Sequence, residues 1–152
     1  MRLVRIIVAM MVFTSMAFIP SCGKENTSSL EGNEDIAAVI QKITQCYENP
    51  EVAVEIYTDD AVLKRQDPTT LKMIELTGPK EIEEYRKERG KSFYATGVSI
   101  SSIKTEATTA HVEYVIITRH IQRYLEWQLR SSAEMVKEGQ MWKIKVERTK
   151  AF

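Results

Sequence analysis

Between Tyr124 and Arg148 the apolar residues fall on alternate positions. Leu125, Trp127, Leu129, Ala133 and Met135 are two or four apart, and after Glu138-Gly139 the alternation resumes at Trp142, Ile144 and Val146. Lys143, Lys145 and Glu147 take the opposite parity. Period two marks strands with one buried face, and Glu138-Gly139-Gln140 joins them into a hairpin. This parity sends Trp127, Leu129, Ser131, Ala133, Met135, Trp142 and Ile144 inward, with no carboxylate or histidine among them. Glu126, Gln128, Arg130, Lys143, Lys145 and Glu147 make the outer face charged.

The segment before it, Ala110 to Ile121, is apolar on both parities, with Val112, Tyr114 and Ile116 on one side and Val115 and Ile117 on the other. A strand buried on both faces is either central or covered by a second subunit. His111 shares the second parity with Glu113, and His120 sits near a turn. Ile117, Ile121, Tyr124, Leu125 and Leu129 also fit helical spacing, but the longer alternation from Leu125 to Met135 favours strands. Val98, Ile100 and Ile103 open this strand-rich half, followed by a turn at Thr105 to Thr109.

Upstream the period changes. Ile36, Val39, Ile40, Ile43, Cys46 and Tyr47 recur at three and four, one face of a helix that Asn33 is placed to cap. Cys46 falls in this stripe and reads as a small packed residue. Asn49-Pro50 ends the helix and starts a second, with Val52, Ala53, Ile56 and Tyr57 as its apolar face. Thr58-Asp59-Asp60 then reads as a turn before a strand at Ala61 to Leu63, and two adjacent aspartates lack the further oxygens calcium needs. Asp67 to Thr70 is a turn, Leu71 to Leu76 a short strand, and Gly78-Pro79 opens a third helix running to about Arg89. Ile82 and Tyr85 are its buried residues, while Glu81, Glu83, Glu84, Lys87 and Glu88 form a solvated face.

The N-terminus changes the address. Arg2 and Arg5 precede an apolar run, Ile6 to Ile19, too short to span a bilayer comfortably, so residues 1–21 read as a signal peptide. Ile19-Pro20-Ser21-Cys22 resembles the lipobox of bacterial lipoproteins, with Pro20 a departure from the usual small or apolar residue. The resemblance implies lipidation of Cys22 and a membrane anchor, and Gly23, in place of a retaining aspartate, an outer-membrane address facing the periplasm. Residues 22–33, polar and rich in Gly, Ser and Asn, are then a flexible tether, and 34–152 the folded domain. The whole chain has 21 basic and 21 acidic residues; without Arg2 and Arg5, 19 basic stand against 21 acidic. That balance excludes an electrostatic case for nucleic acid. With Cys22 lipidated, Cys46 has no disulfide partner.

Helices first and long strands afterwards is the order of an α+β domain with N-terminal helices packed on a curved, mostly antiparallel sheet. Three stretches carry a closer likeness: EVAVEIYTDDAVL (Glu51 to Leu63), TGPKEIEEYRKE (Thr77 to Glu88) and GQMWKIKVERT (Gly139 to Thr149). In order and spacing they resemble the nuclear transport factor 2-like family, the cone-shaped or cystatin-like α+β barrels. The resemblance implies a pocket between helices and sheet, where the family's enzymes use an acidic base or a His-Asp pair with a tyrosine donor. It carries no catalytic residue onto this chain.

Three functional classes follow. The leading one is a membrane-tethered lipoprotein binding a small apolar ligand or a protein partner without catalysis, with Tyr47, Tyr57, Tyr85, Tyr114 and Trp127 as candidate pocket residues and no metal or cofactor. The second is an isomerase, dehydratase or cyclase, with Tyr57, Tyr85 or Tyr114 as donor and Asp59, Asp60 or His111 as base. The third is an assembly module, a homodimer paired through the outer face of the sheet.

Overall fold

The structure, a computed structural model, describes residues 32–67 and 70–151. The expected signal peptide, Cys22, the tether up to residue 31, Pro68, Thr69 and Phe152 lie outside the described residues. The chain order is α1 (Glu34–Gln45), α2 (Val52–Ile56), β1 (Tyr57–Gln66), β2 (Met73–Thr77), α3 (Gly78–Gly90), β3 (Phe93–Glu106), β4 (Thr109–His120), β5 (Glu126–Glu138) and β6 (Met141–Ala151). The strands form one sheet ordered β2-β1-β6-β5-β4-β3. All neighbours are antiparallel except β1 and β6, which run parallel. The helices pack on one face, giving the α+β architecture that the pattern predicts.

The alternation places most of the core correctly. Leu129, Ser131, Ala133 and Met135 of β5 face the helices with Ala110, Val112, Tyr114, Ile116 and Thr118 of β4. Gly139, at φ 63, opens the two-residue loop between β5 and β6, a conformation that a residue with a Cβ resists. The connection from β4 to β5 runs through a turn at Ile121 to Arg123, with Tyr124 at φ 53, so the strand reading holds over the helical one. Ile36, Ile40 and Ile43 of α1, and Cys46 and Tyr47 in the turn that follows it, are all buried.

Four local expectations are corrected. Asn33 makes no side-chain cap; its Oδ1 instead accepts from Thr105 Oγ1 at 2.7 Å, which ties the start of α1 to the β3–β4 hairpin. Asp59 and Asp60 lie within β1 rather than in a turn, because pairing with β6 carries β1 from Tyr57 onward, through an irregular register between Tyr57 and Val62. The strand expected at Leu71 to Leu76 begins at Met73, since Leu71 sits at φ 58 and its N–H closes a turn onto the Asp67 carbonyl. The fourth concerns β6. Ile144 pairs with Met135 and Val146 with Glu134, so β6 spends two residues where β5 spends one. This bulge reverses the strand's parity. Val146 turns outward, and Glu147 and Thr149 turn into the core, where both are fully buried.

Candidate functional site

The inward Glu147 does not stand alone. Alternation along β1 from Ala61 through Leu63 brings Arg65 into the same interior, and helical spacing from Ile82 brings Arg86 down from α3. Arg86 Nη2 lies 3.3 and 3.2 Å from the two Glu147 oxygens, a wholly buried ion pair. The Tyr57 hydroxyl donates to Glu147 Oε2, and Thr149 Oγ1 donates to Oε1 at 3.2 Å. Ser131 and Thr149 share a 3.0 Å hydroxyl–hydroxyl hydrogen bond behind it. Arg65 Nη1 donates to the Tyr47 hydroxyl at 2.9 Å. The Arg86 guanidinium lies 5.1 Å from the Tyr47 ring centroid and that of Arg65 lies 5.7 Å from the Tyr85 ring. The Tyr114 hydroxyl lies near Glu147 short of hydrogen-bond geometry.

The electrostatics follow from burial and these neighbours. Burial, then Glu147, raises the Tyr57 and Tyr114 phenols well above their usual range, which keeps both neutral and Tyr57 a donor to Glu147. At Tyr47 burial works upward, but Arg65 and Arg86 outweigh it and the phenol is lowered. Arg86 is pushed down by burial and up by Tyr47, Tyr57 and Glu147, and the upward effect wins. The cluster therefore holds two guanidinium cations against one carboxylate.

Tyr47, Tyr57, Tyr85 and Tyr114, four of the five expected pocket residues, thus surround one polar cluster. Trp127 lies apart, packed on Phe93 with ring centroids 5.0 Å apart. The three suggested bases are elsewhere: Asp59 and Asp60 are exposed, Asp60 bonding to Thr58 at 2.8 Å and lying 3.7 Å from Lys145, and His111 is half-exposed beside Glu113. Arg65, Arg86 and Glu147 are the functional candidates that period reading overlooked. Among the described residues no group of three or more His, Cys, Asp or Glu is placed to hold a metal, and no helix is long and apolar enough to cross a membrane.

Two open recesses flank the cluster. One, about 570 Å³, is a cleft where the end of α1, the end of α3, the start of β3 and the β4–β5 turn meet; Tyr47, Pro50, Phe93 and Ile121 supply its apolar lining. The other is a trough of about 790 Å³ on the outer face of the sheet, where Glu113, Arg130, Arg148 and Lys150 surround Val115. Arg148 is engaged by Glu134 at 2.6 Å.

Cys46 borders the cluster, donating to the Lys42 carbonyl at 3.6 Å, and burial pushes its thiol up from 9.0 to about 11. Between those values the unfolded thiol has lost its proton while the folded one keeps it, so stability falls as pH rises from 9 toward 11. Two units correspond to about 3 kcal/mol. Urea unfolding at pH 8 and pH 11 should show a smaller alkaline loss in Cys46→Ala than in wild type, the remainder belonging to Tyr57 and Tyr114; equal losses in the two proteins would refute this.

No protein-family model matches the chain, and no curated protein matches it. Solved structures do. A ketosteroid isomerase-like protein from Erwinia carotovora atroseptica superposes with TM-score 0.63 at 15% identity, covering 86% of this chain and 98% of that one. The fold is nuclear transport factor 2-like. A cystatin-like-fold protein of unknown function from Nostoc punctiforme gives TM-score 0.66 at 12% identity, covering 83% and 78%. A putative scytalone dehydratase from Novosphingobium aromaticivorans gives 0.60 at 18%, covering 81% and 85%. The nuclear transport factor 2-like fold places the polar cluster between the helices and the sheet, within the cone.

Proposed function

We propose that this nuclear transport factor 2-like domain binds a small molecule in the Tyr47–Phe93 cleft at the open end of the cone, without catalysing a reaction. One observation carries the reading. The carboxylate–tyrosine pair inside the cone, Glu147 and Tyr57, is fully buried, with both Glu147 oxygens taken by Arg86, Tyr57 and Thr149, whereas the apolar-lined cleft beside Tyr47 is open to solvent. A general base must reach its substrate's proton, and Glu147 is sealed from any substrate. Under the enzyme alternative, Arg86 would have to release Glu147 before a ketosteroid isomerase-type proton transfer could use it. Under the assembly alternative, the outer trough would meet a second copy through a largely charged surface.

The tether adds an attachment point. A lipidated Cys22 would reach the domain through Asn33, which is bonded at the β3–β4 hairpin, and the cleft lies at the far end of β4. Twelve strand residues span roughly 40 Å, which separates the cleft from the point where the tether would join the domain. Cys22→Ser is expected to move the protein from the membrane to the soluble periplasmic fraction; retention in the membrane would refute the lipid anchor.

Native mass spectrometry of the full-length protein in mild detergent tests the binding claim. A co-purifying small molecule, lost on denaturation, is the expected result. A protein that is ligand-free and stays so after incubation with a lipid-depleted cell extract would overturn it.

A further inference from the structure

Resting on that reading, we infer that the ligand carries an anionic head, a carboxylate, which Arg65 and Arg86 receive once the Tyr47 side chain swings aside. Within the fully buried cluster two guanidiniums face one carboxylate, and Glu147 already spends both oxygens on Arg86, Tyr57 and Thr149. Arg65 Nε, Arg86 Nε and Arg86 Nη1 are buried donors without an acceptor. Buried cations stripped of partners are strongly unfavourable, and a fork of guanidinium N–H groups matches the two oxygens of a carboxylate.

Tyr47 is the residue that joins cleft and cluster. It belongs to the cleft lining, its hydroxyl accepts from Arg65, and its ring lies under Arg86. Rotating it away removes the phenol from Arg65 and opens both guanidiniums to the cleft. The apolar body of the ligand then rests on Phe93, Pro50 and Ile121. The rim does not steer an anion inward, since Glu48, Glu51 and Glu83 there face Lys87 and Lys91, and Lys91 is engaged by Glu88 at 2.6 Å. Recognition comes from the buried pair, so binding should depend only weakly on salt.

Benzoate and the uncharged benzyl alcohol are suitable probes, followed by calorimetry and thermal unfolding of the full-length protein stripped of co-purifying molecules. Benzoate should bind at least tenfold more tightly than benzyl alcohol and raise the melting temperature. Arg65→Met, which keeps volume and removes the surplus charge, should abolish that preference while leaving the stripped protein as stable as wild type or more so. Equal binding of the two probes, or benzoate preference surviving in Arg65→Met, overturns the inference. So does a tyrosinate ultraviolet band at neutral pH that vanishes in Tyr47→Phe, since the counter-charge would then be Tyr47 itself. A co-purifying neutral ligand would sink this inference while leaving the binding function standing; no ligand of any kind would sink the binding function first.

Discussion

Glu147→Gln should cost about 3–5 kcal/mol, the largest single-residue loss in the domain. The substitution keeps shape but removes the one carboxylate facing Arg86 and Arg65, leaving two buried guanidiniums with no counter-charge. It also weakens the bonds from Tyr57 and Thr149, which are charge-assisted only while Glu147 is ionised. Against a total stability of about 5–15 kcal/mol for a domain of this kind, that is a lowering of the melting temperature by roughly 10–20 °C. Arg86→Met should cost a comparable amount. The double variant Arg86→Met/Glu147→Gln should lose less than the two single losses combined, because the second substitution removes a charge that the first has left without its partner. Urea unfolding of the four proteins measures this. A Glu147→Gln protein within about 1 kcal/mol of wild type would mean that the carboxylate is not buried against Arg86.

Gly90→Ala should be the second damaging change, at roughly 2–3 kcal/mol, from overpacking. A Cβ at Gly90 would overlap the backbone carbonyl oxygen of Tyr47, and a backbone atom cannot swing away as the end of a long side chain can. The end of α3 must then lift from the α1–α2 link. That link carries Tyr47, so the Arg65–Tyr47 bond and the cleft wall move with it. Gly97, in β3, provides the control: a Cβ there meets nothing within 4 Å, and Gly97→Ala should change stability little. Comparable effects at the two glycines would show that the α3–Tyr47 contact is not tight.

Much of this site was available in the sequence. The alternation Ala61, Leu63, Arg65 extends one step beyond the apolar residues and names Arg65 as inward. Ile82 to Arg86 is one helical repeat, so the buried face of α3 continues into a guanidinium. Reading a charged residue as the end of the buried stripe hid both. Glu147 is a different case, because strict alternation through Trp142 and Ile144 sends it outward and only the two-for-one pairing at Lys145 and Val146 turns it in. Such a bulge depends on how β6 fits between β5 and β1, a tertiary constraint with no local signature. The helix order and the β5–β6 hairpin were legible because each is set by period and by turn residues close in sequence, whereas β4, expected to be buried on both faces, lies second from the sheet edge with Val115 and Ile117 only half-buried.

Hydrogen–deuterium exchange of the full-length protein, with its co-purified ligand and after stripping, tests the functional account most directly. Ligand-dependent protection is expected at Tyr47 to Glu51 and at Gly90 to Tyr94, the chain segments around the cleft. Protection confined to the strands under the outer trough, around Glu113, Arg130 and Arg148, or none at all, would contradict it.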